Sequence, residues 1–265
     1  MQGLTREPLA RSSNDHQKLV PVTDVSLETS LTLAAAHALV LLDDGVVGDP
    51  MEKTTLDALK WKLSAGDKIT PTADARNKKD NVSVTVRRRF QFSSQLKRMS
   101  TISLVQTPAG QRTLVAVKGA PETLKSMFTS VPSDYERTYK GYAQRGSRVL
   151  ALGYKFVDGM NKGDVTTIAR DAVEKDLVFA GFLVFHCPLK PDAVKTLKEL
   201  ADSSHRCVMI TGDNPLTAAH VAREVEIVDR QVLILDLKEG AKSESGASLL
   251  LPLSLGFRLG GVSVC

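Results

Sequence analysis

The chain has 265 residues, 42% of them apolar and 25% charged, which excludes a disordered or fibrous protein and suits one large domain or two ordinary ones. The net charge of +5 is uneven: residues 76–98 carry eight Lys/Arg against Asp80, a local +7 that leaves −2 for the remainder. Such a run suggests an anionic partner, phosphate first, although a solvated strand face explains it as well. The longest near-apolar run, 31–42, is too short to span a bilayer as a helix, and the first ten residues have no apolar secretory core. Cys187, Cys207 and Cys265 have no Cys-x-x-Cys spacing, which implies a reducing compartment and neither a disulfide framework nor a zinc site.

In chain order, residues 1–20 show no sustained period and are expected to be irregular. Residues 27–42 read as a buried helix, followed by a turn at Asp43-Asp44-Gly45. A second helix is expected from Asp49, its cap, through Pro50 to about residue 63, with Glu52 three residues after the cap. Residues 66–81 read as a polar loop. The alternation of 82–92 predicts a strand, with Arg88 anomalous on its apolar face. Strands at 99–106 and 113–118, joined by a turn at 108–110, complete an antiparallel meander. Helices follow at 121–128 and 133–145, the second stopped by Gly146, and then a strand at 148–156.

After residue 176 the texture changes. Strands at 177–185, 207–211 and 232–235, with helices at 191–201 and 214–225 between them, predict a parallel doubly wound unit, incomplete at three strands. Residues 239–265 are rich in Gly, Ser and Leu and fit neither pattern, and no internal repeat is present. The fold class expected is an α+β antiparallel domain over 21–175, then a partial α/β doubly wound domain over 176–238, flanked by irregular segments 1–20 and 239–265.

Four segments have the composition for chemistry. Thr211-Gly212-Asp213-Asn214 sits where a parallel strand would end and a helix begin, a position that suits an anion or a metal; equally, Asp213 and Asn214 could simply cap that helix. Lys118-Gly119 joins a strand to a helix, a cation beside backbone that a ligand can approach, or else a turn with a solvent lysine. Phe92, ahead of Lys97, could stack on a base while the lysine reaches phosphate; a strand aromatic more commonly packs in the core. Arg148 opens a strand and suits bidentate phosphate contact or a surface ion pair.

Taken together and in order, residues 48–52 (GDPME), 90–100 (FQFSSQLKRMS), 118–122 (KGAPE), 148–155 (RVLALGYK), 187–190 (CPLK) and 209–218 (MITGDNPLTA) resemble the cytoplasmic region of P-type ATPases, over roughly 20–237. The GDPME and FSSQLKRMS strings resemble the type V group. KGAPETL with CPLK and GDNPLTAAHVA resembles its A branch, the endoplasmic-reticulum transmembrane-helix dislocases, more than the lysosomal polyamine-transporting B branch. The resemblance implies that the first domain binds nucleotide and that the second is part of a phosphorylation domain of the haloacid-dehalogenase type. It implies that Phe92 stacks the adenine, Glu52 borders the adenine pocket, Lys97, Lys118 and Gly119 line the nucleotide site, and Arg148 touches phosphates. Thr211 and Gly212 would contact the transferred phosphoryl group, with Asp213 near nucleotide and Mg²⁺. Cys187 and Lys190 depart from the aspartate and arginine usual there.

The sequence contains neither Asp-Lys-Thr-Gly-Thr nor Gly-Asp-Gly-x-Asn-Asp. Phosphoryl transfer needs nucleophile, metal and positioned phosphate together. The expectation is therefore a fragment that binds ATP, with Mg²⁺ arriving on the nucleotide, but does not turn it over. Its expected partners are ATP and the remainder of the ATPase (actuator, membrane and remaining phosphorylation segments), with no nucleic acid, and its expected location is the cytoplasmic side of the endoplasmic-reticulum membrane. Two other readings are a non-enzymatic truncated isoform acting by interaction, and a haloacid-dehalogenase-like phosphatase with a cap domain; the missing aspartate counts against the phosphatase.

Overall fold

Strand residues that are apolar at consecutive positions need cover on both faces, and Leu114 to Val117 are all fully buried. Leu114 and Ala116 belong to one hydrophobic cluster and Val115 and Val117 to another, so two cores lie on opposite faces of one sheet. The computed structural model describes residues 9–12, 19–75, 82–160, 162–230, 232 and 234. The chain divides into two compact units, 1–189 and 190–265.

The first unit runs β1 (Leu9–Ser12), β2 (Val20–Pro21), α1 (Leu27–Ala35), β3 (Val40–Leu42), β4 (Gly45–Val47), α2 (Pro50–Ala58), β5 (Trp61–Ser64), β6 (Lys68–Pro71), β7 (Ser83–Ser93) and β8 (Arg98–Thr107). It continues with β9 (Gly110–Gly119), α3 (Pro121–Leu124), β10 (Phe128–Ser130), α4 (Tyr135–Ala143), β11 (Arg148–Val157), α5 (Lys162–Thr167), α6 (Arg170–Val173) and β12 (Leu177–Phe185). The large sheet has the order β2-β1-β12-β11-β9-β8-β7-β6-β5, with β10 beside β12; β3 and β4 form a separate hairpin. Every pairing is antiparallel except β10 with β12. Leu31, Ala34 and Ala35 of α1 and Leu56 of α2 join the first core, while Leu124, Tyr135 and Tyr139 join the second.

Local chemistry sets the element ends. Ser26 caps α1 by accepting the Thr29 N–H at 3.2 Å. The helix stops at Ala35 rather than running to residue 42, because Val40–Leu42 folds back on Gly45–Val47 as a hairpin. Asp49 caps α2 through the Met51 N–H at 2.7 Å, with Pro50 at the first position as expected. That helix ends at Ala58, and Trp61–Ser64 pairs with Lys68–Pro71, so the region read as helix end and polar loop contains two strands.

The Arg88 anomaly is a bulge. Val86 pairs with Ser103 but Arg88 with Ile102, so Arg87 is the extra residue. The bulge reverses the alternation: Val82, Val84 and Val86 join the first core, whereas Phe90 packs on the second. Arg88 Nη1 then donates to the carbonyls of Val165 and Ile168 at 2.8 and 2.9 Å, and its guanidinium lies 4.4 Å from the Phe90 ring centre.

Two further expectations are corrected. Leu177–Phe185 does not begin a new parallel sheet; it is β12, antiparallel to β1 and β11. Its unbroken apolar run reflects burial on both faces, since Leu183 and Phe185 join one core and Phe182 and Val184 the other. In the second unit, α7 (Ala193–Asp202) and α8 (Pro215–Glu224) form as expected, the latter capped by Asn214 through the Leu216 N–H at 2.9 Å. The strand expected at 207–211 is absent: no residue there is in a sheet, and Val208 and Ile210 are 60% and 94% exposed. A parallel strand exists only through its neighbours, and the described residues of this unit supply none. Of 232–235, Val232 and Ile234 are not in a strand and the other two lie outside the described residues.

Candidate functional site

The strand register gathers most of the expected site residues at one end of the sheet. Ser93, Arg98, Gly119 and Ala151 form one row across β7, β8, β9 and β11. Phe92 and Lys118 each lie one residue from that row, Lys97 precedes Arg98 in the β7–β8 turn, and Arg148 opens β11 at the same end.

Phe92 is 61% exposed, so the core-packing alternative fails and an aromatic face is open at the sheet end. Lys97 is exposed and adopts a positive φ of 49°, in a turn closed by its own N–H on the Ser93 carbonyl at 2.8 Å. Gly119 belongs to the same construction. A Cβ there would lie 2.6 Å from the Lys97 carbonyl oxygen, 2.7 Å from Arg98 Cβ and 2.7 Å from Leu124 Cδ1. Its smallness serves the close approach of the β7–β8 turn, which also accepts the Ala120 N–H on the Lys97 carbonyl at 2.9 Å.

Lys118 is not a solvent lysine. Its Nζ donates to Glu52 Oε1 at 2.8 Å, with the two side chains 14% and 11% exposed. Glu52 does not turn back on its own helix as a capping box would; its Oε2 accepts the Ala38 N–H at 2.8 Å. Arg148 Nη1 donates to Met51 Sδ at 2.9 Å, which sets the guanidinium against the first turn of α2. Lys118 and Arg148 therefore each contact the first turn of α2, through Glu52 and Met51 respectively, and a paired carboxylate with cations at the same helix start is chemistry suited to an anion and a planar polar ring.

Two groups that sequence reading missed stand behind this edge. His37 is 2% exposed, and its pKa is lowered to about 4 by burial, with Arg89 and Lys118 adding repulsion of its charged form. Glu174 is 3% exposed and accepts from Ser100 Oγ at 2.7 Å, Arg170 Nε at 2.8 Å and Arg98 Nε at 2.6 Å. Burial pushes its pKa up, but the bonds from Ser100, Arg170 and Arg98 outweigh that and hold it below the usual carboxylate range. Glu174 is 76 positions from Arg98, so no local signal pointed to it.

Thr211, Gly212 and Asp213 belong to the second unit. There the Thr211 hydroxyl accepts the Asp213 N–H at 3.1 Å ahead of the Asn214 cap, and the space around Gly212 is open. Among the described residues no three His, Cys, Asp or Glu side chains cluster in a way that would hold a metal. None of the helices formed by the described residues is long and apolar enough to cross a membrane.

Residues 28–192 match the family described as P-type ATPase, cytoplasmic domain N. The chain is 52% identical over 235 residues, 84% of its length, to the endoplasmic reticulum transmembrane helix translocase spfA of Aspergillus fumigatus. It is 46% identical over 239 residues, 89% of its length, to the endoplasmic reticulum transmembrane helix translocase of Saccharomyces cerevisiae. Over 81% of its length it is 33% identical to the human probable cation-transporting ATPase 13A4. These matches cover 18%, 19% and 19% of the relatives, so the chain spans about a fifth of their length.

Proposed function

The chain belongs to the P-type ATPase family, matching its cytoplasmic domain N, and from that premise we propose that the sheet end described above binds ATP. The observation that carries this reading is Phe92, a large aromatic left 61% exposed beside the cations of the same strand row. Phe92 stacks on the adenine. Glu52 faces the base edge, Lys118 and Lys97 balance charge, and Arg148 reaches the phosphates. Gly119 acts by letting the Lys97 turn seat against β9. Mg²⁺ enters on the phosphates, and none of the roles assigned here runs through it.

The higher identity to the two helix translocases than to the human cation-transporting protein supports the type V-A branch. In the complete protein this region would feed ATP to an aspartyl-phosphate cycle that moves transmembrane helices at the cytoplasmic face of the endoplasmic reticulum. The second unit, with Thr211, Gly212 and Asp213 ahead of α8, would form part of a haloacid-dehalogenase-like phosphorylation domain. Because Asp-Lys-Thr-Gly-Thr does not occur in the sequence, the chain by itself binds ATP without turnover.

Calorimetry is expected to give ATP binding in the high-micromolar to millimolar range, about 4–6 kcal/mol. Phe92→Ala should lose about 1–3 kcal/mol of that. Absence of heat at several millimolar ATP would refute the reading, and normal binding by the variant would place the base elsewhere.

A further inference from the structure

One planar peptide unit lies between the candidate site and a remote ion pair. The carbonyl of His37 accepts Arg89 Nε at 3.0 Å, and the N–H of Ala38, in the same peptide plane, donates to Glu52 Oε2 at 2.8 Å. Glu52 in turn holds Lys118 at 2.8 Å. On the other side, the Arg89 guanidinium is gripped by both oxygens of Asp67, at 2.8 and 3.0 Å. Asp67 sits in the β5–β6 turn, and its carbonyl accepts the Val86 N–H at 3.0 Å. The line Asp67, Arg89, peptide 37–38, Glu52, Lys118 therefore runs from that turn to the start of α2 by charge-assisted bonds throughout.

His37 locks the peptide. Its Nδ1 accepts the Leu39 N–H at 3.1 Å and its own N–H donates to the Ala35 carbonyl at 3.0 Å, so the backbone of 37–39 is committed to one conformation. With Nδ1 accepting, the proton of the neutral ring is on Nε2, which is buried with no hydrogen-bond partner among the described residues. A buried donor left without an acceptor is costly, and a side chain kept at that cost is explained by the bond its other nitrogen makes.

We propose that Asp67, Arg89 and His37 are positioning residues that fix the Glu52–Lys118 pair and so set the affinity for the base of the nucleotide without touching it. The inference rests on the nucleotide-binding reading. Asp67 is the informative handle, because its side chain is 41% exposed and stands apart from the residues assigned to the ligand.

The test uses the full chain and three variants: Asp67→Ala, His37→Leu, and His37→Asn, which keeps an acceptor near the Nδ1 position. Two readouts are compared: calorimetric affinity for ATP and for inorganic tripolyphosphate, and the ¹³C resonance of the Glu52 carboxylate in the free protein. Asp67→Ala and His37→Leu should each weaken ATP about tenfold, as expected for loosening one hydrogen bond to a charged group. They should leave tripolyphosphate nearly unchanged and shift the Glu52 resonance, while His37→Asn should stay close to the parent in both. An unmoved Glu52 resonance in the first two variants, or equal losses for ATP and tripolyphosphate, overturns the proposal. If the parent chain binds no ATP, the nucleotide reading fails instead, and the Glu52 resonance alone decides the positioning role.

Discussion

Replacing Glu174 with alanine is expected to cost about 3–5 kcal/mol of stability, the largest effect of any single substitution considered for this chain. Its side chain is 1% exposed and serves two guanidinium groups at once: Arg98 Nε at 2.6 Å and Arg170 Nε at 2.8 Å. Both arginine side chains are themselves mostly buried, at 12% and 20% exposure. Removing the acid leaves two like charges in a poorly solvated site, which costs more than the net worth of the intact group. Arg170 Nη2 also holds the Arg98 carbonyl at 2.9 Å and its Nη1 the Gln91 carbonyl at 3.1 Å, so the loss should spread to the β7–β8 turn that carries Phe92 and Lys97. Urea unfolding of Glu174→Ala and Glu174→Gln against the parent measures it. A change under about 1 kcal/mol would show that these charges are already satisfied by solvent.

The second large effect is acid sensitivity, set by His37. Burial, then Arg89 and Lys118, lower its pKa from an ordinary 6.5 to about 4 in the folded chain. As pH falls below 6.5 the unfolded chain therefore takes up the proton first, and the folded state loses ground until about pH 4. Stability is complete above the unfolded value and falls by about 3 kcal/mol across that window. Glu174, held below the usual carboxylate range, adds its own loss as pH falls through and below that range, where the unfolded chain takes up the proton and the folded one resists it. His37→Asn removes the first component, so its urea midpoint should fall less steeply between pH 6.5 and 4.5 than the parent's. Identical slopes would mean that the imidazole is protonated in place, with solvent or a partner at Nε2.

What was legible in the sequence follows from how far each feature reaches along the chain. The Asp49-Pro50 helix start depends on three or four residues, and the cap forms as read. The strand from residue 83 was visible in its alternation, but the bulge at Arg87 depends on β8, so the reversal of faces appeared only as a misplaced arginine. β5 and β6 are four residues each and were hidden, β5 in the expected end of the second helix and β6 in the polar segment, because their strand state comes from pairing with each other and, for β6, with β7. The apolar run 177–185 was read correctly as a buried strand and assigned to the wrong sheet, since burial on both faces does not distinguish parallel from antiparallel neighbours. The opposite failure occurred at 207–211, where an apolar pattern without neighbours formed no strand. At the candidate site, type and position made Phe92, Lys118 and Arg148 candidates, each beside an ordinary structural alternative, and the family resemblance joined them into one site. Glu52 was identified only through family resemblance, and Asp67, Arg89 and His37 were not assigned to the site at all, since Arg89 joins them across 22 and 52 positions and Glu52 bonds residues 14 and 66 positions away.

The central claim is that the sheet end bearing Phe92, Lys97, Lys118 and Arg148 is where ATP binds. Two-dimensional amide NMR of the full chain, titrated with ATP to about 5 mM, well into the affinity range expected, tests it most directly. Saturable shifts are expected at residues 51–52, 92–98, 118–120 and 148–151, with β1, β5 and the β3–β4 hairpin unmoved. Shifts clustered elsewhere, or none at that concentration, would contradict it.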